Sequence, residues 1–301
     1  MGGAGGAVPP QLEQARVGRA GGLAVAEPLP YAVRAQAENF PVALSLLPGR
    51  FRQELMILYR FARMVDDLGD EAPADRMALL EEVYAELAGG SPTRTEVAEA
   101  LEMCARLRLG TEPLLRLVEA NRIDQKKSRY RNFEELLWYC SYSANPVGEV
   151  VLAIFGRRDP YEVSLSDSVC SALQVIEHLQ DIAEDARRGR IYLPEEDMEA
   201  FGVTEADLFA RRASSRLRRL VAYEAQRSAN LLQAGVELVG RLSGWARLAV
   251  AGYVGGGRAS LEAIVAFRYD TLGHLAKPRR PRTARHILAL SLGLGNNWRP
   301  R

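Results

Sequence analysis

The chain has 301 residues, 48% apolar and 26% charged, enough to bury a large core in one or two domains. It carries no uncharged apolar run near the roughly 18 to 20 residues of a membrane span, and its 39 Lys and Arg nearly balance 38 Asp and Glu. An integral membrane protein and a generally basic nucleic-acid binder are thereby excluded.

Met1 to Pro30 is rich in Gly, Ala and Pro and reads as a disordered leader. It has neither a secretory pattern nor the serine or threonine of a myristoylation signal. From Tyr31 onward apolar residues recur at steps of three and four, and alternating β-branched runs are nearly absent, so the fold class is all-α. Leu58, Phe61, Val65 and Leu68 draw one stripe along a helix from about Arg50 to about Asp70. The same spacing predicts helices near 74–89, 93–108, 112–127, 133–155, 165–187, 205–241 and 244–268. The connections between them are short, which implies antiparallel neighbours in one bundle without an internal domain boundary.

After Asp270 no acidic residue occurs, whereas Lys277, Arg279, Arg280, Arg282, Arg285, Arg299 and Arg301 are basic. Residues 278–301 therefore read as a basic tail, either touching an anionic membrane surface or forming a terminal helix that closes the bundle. Cys104, Cys140 and Cys170 are scattered and odd in number, which fits a cytoplasmic chain and no disulfide framework. His178, His274 and His286 are too far apart for a His-x-x-x-His pair, so any metal would be held by carboxylates.

Asp66 and Asp70 are four apart on the first helix, on one face, where two anions repel each other. A hard cation such as Mg2+ would offset that repulsion. Asp181 and Asp185 repeat the spacing on a later helix, ahead of the basic run Arg187-Arg188-Gly189-Arg190. Magnesium binds through a few carboxylates together with phosphate oxygens, so two such pairs suit a diphosphate leaving group. Arg63 and Arg190 are the candidates to meet phosphate oxygens. Between the pairs, Tyr139 and Tyr142 lead into Ser143-Ala144-Asn145-Pro146-Val147-Gly148, where the proline predicts a kink and a freed carbonyl. His178 reads as a bystander, and Gly252 with Gly255-Gly256-Gly257 lacks the spacing of a dinucleotide site, so no NADPH is expected.

Phe61-Ala62-Arg63-Met64-Val65-Asp66-Asp67-Leu68-Gly69-Asp70 and Asp181-Ile182-Ala183-Glu184-Asp185-Ala186-Arg187-Arg188-Gly189-Arg190-Ile191-Tyr192-Leu193-Pro194 resemble the two signature motifs of the squalene and phytoene synthase family. The resemblance covers about 31–277, the expected catalytic domain. It implies a single-domain isoprenoid synthase bundle with two aspartate motifs facing across a deep apolar cavity. Glu38-Asn39-Phe40-Pro41-Val42 and Tyr139 to Gly148 look most like the hopanoid-pathway hydroxysqualene synthase branch.

That branch is implied to ionise presqualene diphosphate and quench the rearranged cation with water. The matched positions are Asp66, Asp70, Asp181 and Asp185 for Mg2+; Arg63, Arg190 and Tyr192 for the diphosphate end; Gln174 as a polar neighbour; and Tyr142, with Tyr139 as the alternative, for the middle motif. Asn145 or the carbonyl freed by Pro146 is expected to position the water. Glu177, Gln180 and Gly257 depart from the family's usual asparagine, arginine and tyrosine. The other readings are head-to-head condensation of prenyl diphosphates and a non-catalytic lipid-binding or scaffold homologue.

Overall fold

Steps of three and four between apolar side chains become helices throughout the computed structural model, which describes residues 47–273, 276–294 and 298–300. The leader, the Glu38 to Val42 stretch and His274 lie outside the described residues. Helix α1 (Gly49–Asp70) buries Leu55, Leu58, Phe61 and Val65 on the expected stripe. Helices α2 (Arg76–Leu87), α3 (Thr95–Leu107) and α4 (Glu112–Asp124) follow, then α5 (Phe133–Ser143) and α6 (Asn145–Ile154). Next come α7 (Pro160–Gln180), α8 (Ile182–Arg187), α9 (Glu195–Phe201) and a 3-10 turn (Glu205–Phe209). The chain continues with α10 (Ser215–Ala234), α11 (Val236–Arg241), α12 (Gly244–Ala266) and α13 (Arg280–Ser291). No strand occurs among the described residues, in agreement with the all-α reading.

Local chemistry fixes where several helices start. Asp75, Asn132, Asp159 and Ser214 each accept a backbone N–H of the first turn of α2, α5, α7 and α10, a cap that stabilises a helix by about 1 kcal/mol.

Three expected helices are interrupted. The 133–155 helix breaks at Ala144 (φ −115°, ψ −45°), because Pro146 has no N–H to donate and the helix restarts with proline in its first turn. The 165–187 helix begins earlier, at Pro160, and breaks at Asp181 (φ −107°, ψ 14°), the residue shared by α7 and α8. The 205–241 helix resolves into the 3-10 turn, α10 and α11. Ser214 caps α10, and Gly235 closes against α7, where a Cβ would stand 2.4 Å from Val169 Cγ2 and 2.8 Å from the Leu165 carbonyl oxygen. Helix α9 has no counterpart among the expected helices.

Three apolar clusters form the interior among the described residues. One large cluster gathers α1 to α4 with α6 around Phe61, Leu80, Met103 and Leu114; the other large one gathers α7 to α12 around Leu179, Leu217, Leu232 and Ile264; a small one gathers Tyr130, Tyr139, Cys140, Val175 and Tyr192. Each fully buried Leu or Phe contributes about 1.5 to 3 kcal/mol. Phe155 and Tyr253 pack against both large clusters, joining the two halves. Helices α6 and α7 cross at Gly148, where a Cβ would stand 2.4 Å from Ser166 Oγ and 2.6 Å from Cys170 Sγ. That glycine serves a close helix crossing. Half of the expected basic tail is α13, which lies along α12 with Thr283, His286 and Leu290 buried. His286 Nε2 is 2.9 Å from Glu262 on α12, so this segment closes the bundle.

Candidate active site

The site lies where α1 and α4 of one half meet α7, α8 and the segment after α8. Helix α1 carries Arg63, Asp66 and Asp70, and α4 braces it. Asn121 donates from Nδ2 to Asp66 Oδ1 at 3.1 Å, and Gln125 donates from Nε2 to the Gly69 carbonyl at 3.0 Å. Gly69 permits this approach, because a Cβ there would stand 2.3 Å from Asn121 Oδ1.

Asp66 is exposed to solvent, yet its carboxyl has Asn121, Arg63 and Asp70 close by. Desolvation pushes its carboxyl up to about 7; Asn121 and Arg63 pull it down, while Asp70 and Glu177 push it up. Arg63 is held on its own helix by Asp67 at 2.9 Å and Glu71 at 3.3 Å.

Burial, followed by the charges of Asp185 and Glu184, raises Asp181 to about 6, and His178 and Lys277 oppose the shift. Both pairs therefore experience the like-charge repulsion expected of their spacing. Gln180 donates to the Ala276 carbonyl, tying the end of α7 to the chain before α13.

His178 belongs to this site, contrary to its reading as a bystander. Its Nδ1 faces Asp185 Oδ2 at 3.6 Å, and its Nε2 lies 3.2 Å from Gln174 Nε2. An amide nitrogen only donates, so Gln174 fixes Nε2 as the acceptor and leaves the ring proton on the side of Asp185. The imidazole stacks on Tyr192 with centroids 3.6 Å apart.

The basic segment after α8 spans the two motifs. Arg190 Nη1 donates to Asp70 Oδ1 at 2.7 Å, and Arg188 Nη1 lies 3.8 Å from Asp70 Oδ2. This segment is pinned along residues 128–131. Ile191 N–H donates to the Ser128 carbonyl at 2.9 Å and Glu195 N–H to the Tyr130 carbonyl at 2.8 Å, while Arg129 Nη1 donates to the Gly189 carbonyl at 2.7 Å. Tyr192 donates to Asp124 Oδ1 at 3.1 Å, and Tyr139 donates to Asp124 Oδ2 at 2.5 Å. Desolvation raises the Asp124 carboxyl, and the two tyrosines, Arg190 and His178 oppose that rise. Tyr130 stacks against Tyr192 at 5.6 Å.

Asp66, Asp70, Asp181, Asp185, Gln174, Arg190 and Tyr192 thus share one site, with Arg63 beside it. Of the two middle-motif tyrosines, Tyr139 joins the cluster, while Tyr142 packs edge-on against Trp138 at 5.2 Å. Asn145 is buried at the start of α6 and accepts from Ser171 Oγ at 3.0 Å. Asn121, Asp124 and the 128–131 segment are site elements that the sequence reading did not single out. Asp124 had a signal: it continues the apolar Leu117 and Ala120 face of α4, where an aspartate needs a partner.

Among the described residues no three His, Cys, Asp or Glu side chains gather closely enough to hold a metal ion. Each motif offers two carboxylates, so an ion here would take its remaining ligands from water and substrate.

Comparison with known proteins gives this geometry a family. The squalene/phytoene synthase family model matches residues 33–285. The chain belongs to the squalene/phytoene synthase family. A hydroxysqualene synthase from Zymomonas mobilis is 39% identical over 209 residues, covering 66% of this chain and 68% of that protein. A phytoene synthase from Arthrospira platensis is 30% identical over 210 residues, covering 64% and 68% respectively. The crystal structure of squalene synthase HpnC from Alicyclobacillus acidocaldarius superposes with a TM-score of 0.72 at 40% identity, covering 79% of this chain and 92% of that one. As a squalene/phytoene synthase family member with the isoprenoid synthase fold, the chain is a prenyl diphosphate-processing synthase.

Proposed function

We propose that this synthase converts presqualene diphosphate and water to hydroxysqualene and diphosphate in squalene and hopanoid biosynthesis, with Mg2+ and without a nicotinamide. The observation that carries the reading is the chain of contacts that joins the two aspartate motifs: Arg190 pairs with Asp70, and Tyr192, two residues on, stacks on His178, which faces Asp185. The similarity to hydroxysqualene synthases supports the branch.

The donor set fits magnesium. Asp66 and Asp181 are pushed up by burial and neighbouring carboxylates, a repulsion that a bound cation relieves, and neither pair completes a coordination shell alone. Asp66 and Asp70 would hold ions on one side, Asp181 and Asp185 on the other. An ion held there would supply Lewis-acid stabilisation of the charge on a diphosphate leaving group.

The chain's own groups do the rest. Arg190, exchanging Asp70 for phosphate oxygens, and Arg63 stabilise the leaving group where its charge grows. Gln174 and His178 orient Asp185, and Asn121 orients Asp66. Tyr142, half-buried on α5 and outside the stack of Tyr130, Tyr139 and Tyr192, is the middle-motif tyrosine whose ring would favour a carbocation by about 1 to 2 kcal/mol without trapping it. Asn145, fixed by Ser171, or the backbone opened at Ala144 positions the single water that ends the reaction.

A membrane-facing role for α13 belongs to the same reading, because substrate and product are lipids. Leu288, Leu292 and Leu294 are exposed beside Arg279, Arg280, Arg282 and Arg285, a surface suited to peripheral contact with anionic lipid on the cytoplasmic side. No helix among the described residues is long and apolar enough to cross a membrane.

A second reading, head-to-head condensation to presqualene diphosphate or phytoene, rests on the similarity to phytoene synthases. Product analysis with Mg2+, no nicotinamide, and either presqualene diphosphate or farnesyl diphosphate separates the two. Hydroxysqualene from the first supports hydration, whereas presqualene diphosphate from farnesyl diphosphate supports condensation. A non-catalytic scaffold would turn over neither.

A further inference from the structure

Asp124 stands outside both aspartate motifs, yet one tyrosine from the second motif and one from α5 converge on it. Tyr139 takes its Oδ2 at 2.5 Å and Tyr192 its Oδ1 at 3.1 Å, so both carboxylate oxygens are engaged. Arg190 is near enough for its charge to favour the anion. Desolvation opposes that anion, and an apolar side chain would pack the same rings without the cost. What an apolar side chain would not do is fix the rotation of two phenols and balance the guanidinium of Arg190.

The neighbours of Arg190 show the consequence. Ile191 is held through its backbone by Ser128, and Tyr192 through its side chain by Asp124. Arg190, immediately before this doubly anchored stretch, reaches Asp70 at 2.7 Å with little freedom left.

We propose that Asp124 is a positioning residue for the diphosphate end of the site, fixing Tyr192 and thereby presenting the Arg190 guanidinium beside Asp70. This rests on the diphosphate reading above. Asp124 touches neither substrate nor metal in this role; it acts through Arg190 and Tyr192. Preorganisation of a guanidinium lowers the ordering cost of binding a phosphate.

The sign of one effect separates positioning from simple charge. Removing a negative charge near an anion site strengthens anion binding, whereas releasing the arginine that should receive the anion weakens it. The test is calorimetric binding of inorganic pyrophosphate with Mg2+ at 25 °C to the unmodified protein, Asp124→Asn, Tyr192→Phe and the double variant, with a thermal melt of each.

The expected results are affinity at least tenfold weaker for Asp124→Asn, at least threefold weaker for Tyr192→Phe, and no further loss in the double variant. Unchanged or tighter binding by folded Asp124→Asn would overturn the proposal, even if its melting temperature fell. Should Asp124→Asn fail to fold, unchanged binding by Tyr192→Phe overturns it instead. Absence of pyrophosphate binding by the unmodified protein would overturn the diphosphate reading itself, and this proposal with it.

Discussion

Gly69 is the tightest point of the first aspartate motif, and its replacement by alanine reads out the brace on Asp66. The added Cβ would stand 2.3 Å from Asn121 Oδ1, 3.1 Å from Cγ and 3.3 Å from Cβ. Turning the amide away relieves the first two contacts only by breaking the 3.1 Å bond to Asp66. Overpacking of this kind costs about 1 to 3 kcal/mol, and the lost hydrogen bond about 1 kcal/mol more. Alanine returns about 0.5 to 1 kcal/mol through helix propensity. Gly69→Ala is therefore expected to destabilise the protein by about 1 to 3 kcal/mol. In an Asn121→Ala background only the 3.3 Å contact remains, and the same change should be neutral or stabilising by up to about 1 kcal/mol. Denaturant unfolding of the four proteins of this cycle measures the reversal. An equal cost in both backgrounds, or none in either, would refute the reasoning.

Asp66 also predicts a pH dependence. Its folded pKa, about 7, lies above the ordinary 3.8, so the folded state holds the proton to higher pH than the unfolded state. The stability contribution of this group is then fully present below about 4 and declines as pH rises towards 7. Asp66→Asn should gain stability relative to the unmodified protein across that window, in melts without metal; a difference independent of pH would contradict this. For the membrane reading, removal of residues 278–301 would strip α13 from α12, so Leu288→Ser with Leu292→Ser is the cleaner perturbation. These variants should lose binding to anionic vesicles at low salt while keeping their melting temperature, and unchanged vesicle binding would leave α13 as a closing helix only.

The helices were legible because one-sided burial writes its period into the sequence, as in the Leu58, Phe61, Val65 stripe of α1. Their interruptions were less so. Apolar periodicity runs straight through Ala144 and Asp181, and a break costs the pattern nothing when both flanking segments face the same core. The aspartate pairs were visible as motifs. Their braces were not: Asn121 to Asp66 spans 55 positions and Arg190 to Asp70 spans 120, and nothing local marks such contacts. His178 was set aside because a lone helical histidine usually has an ordinary partner; here its partners are Gln174, Asp185 and the face of Tyr192. Asp124 shows what close reading can still recover, since a carboxylate on an apolar helix face demands an explanation from the residues opposite it.

The most direct test of the account is turnover of presqualene diphosphate with Mg2+ in 18O-water without nicotinamide, followed by mass analysis of both products. Ionisation at carbon and capture by water predict hydroxysqualene carrying one heavy oxygen and unlabelled diphosphate. Heavy oxygen in the released phosphate, or absence of labelled hydroxysqualene, would contradict it.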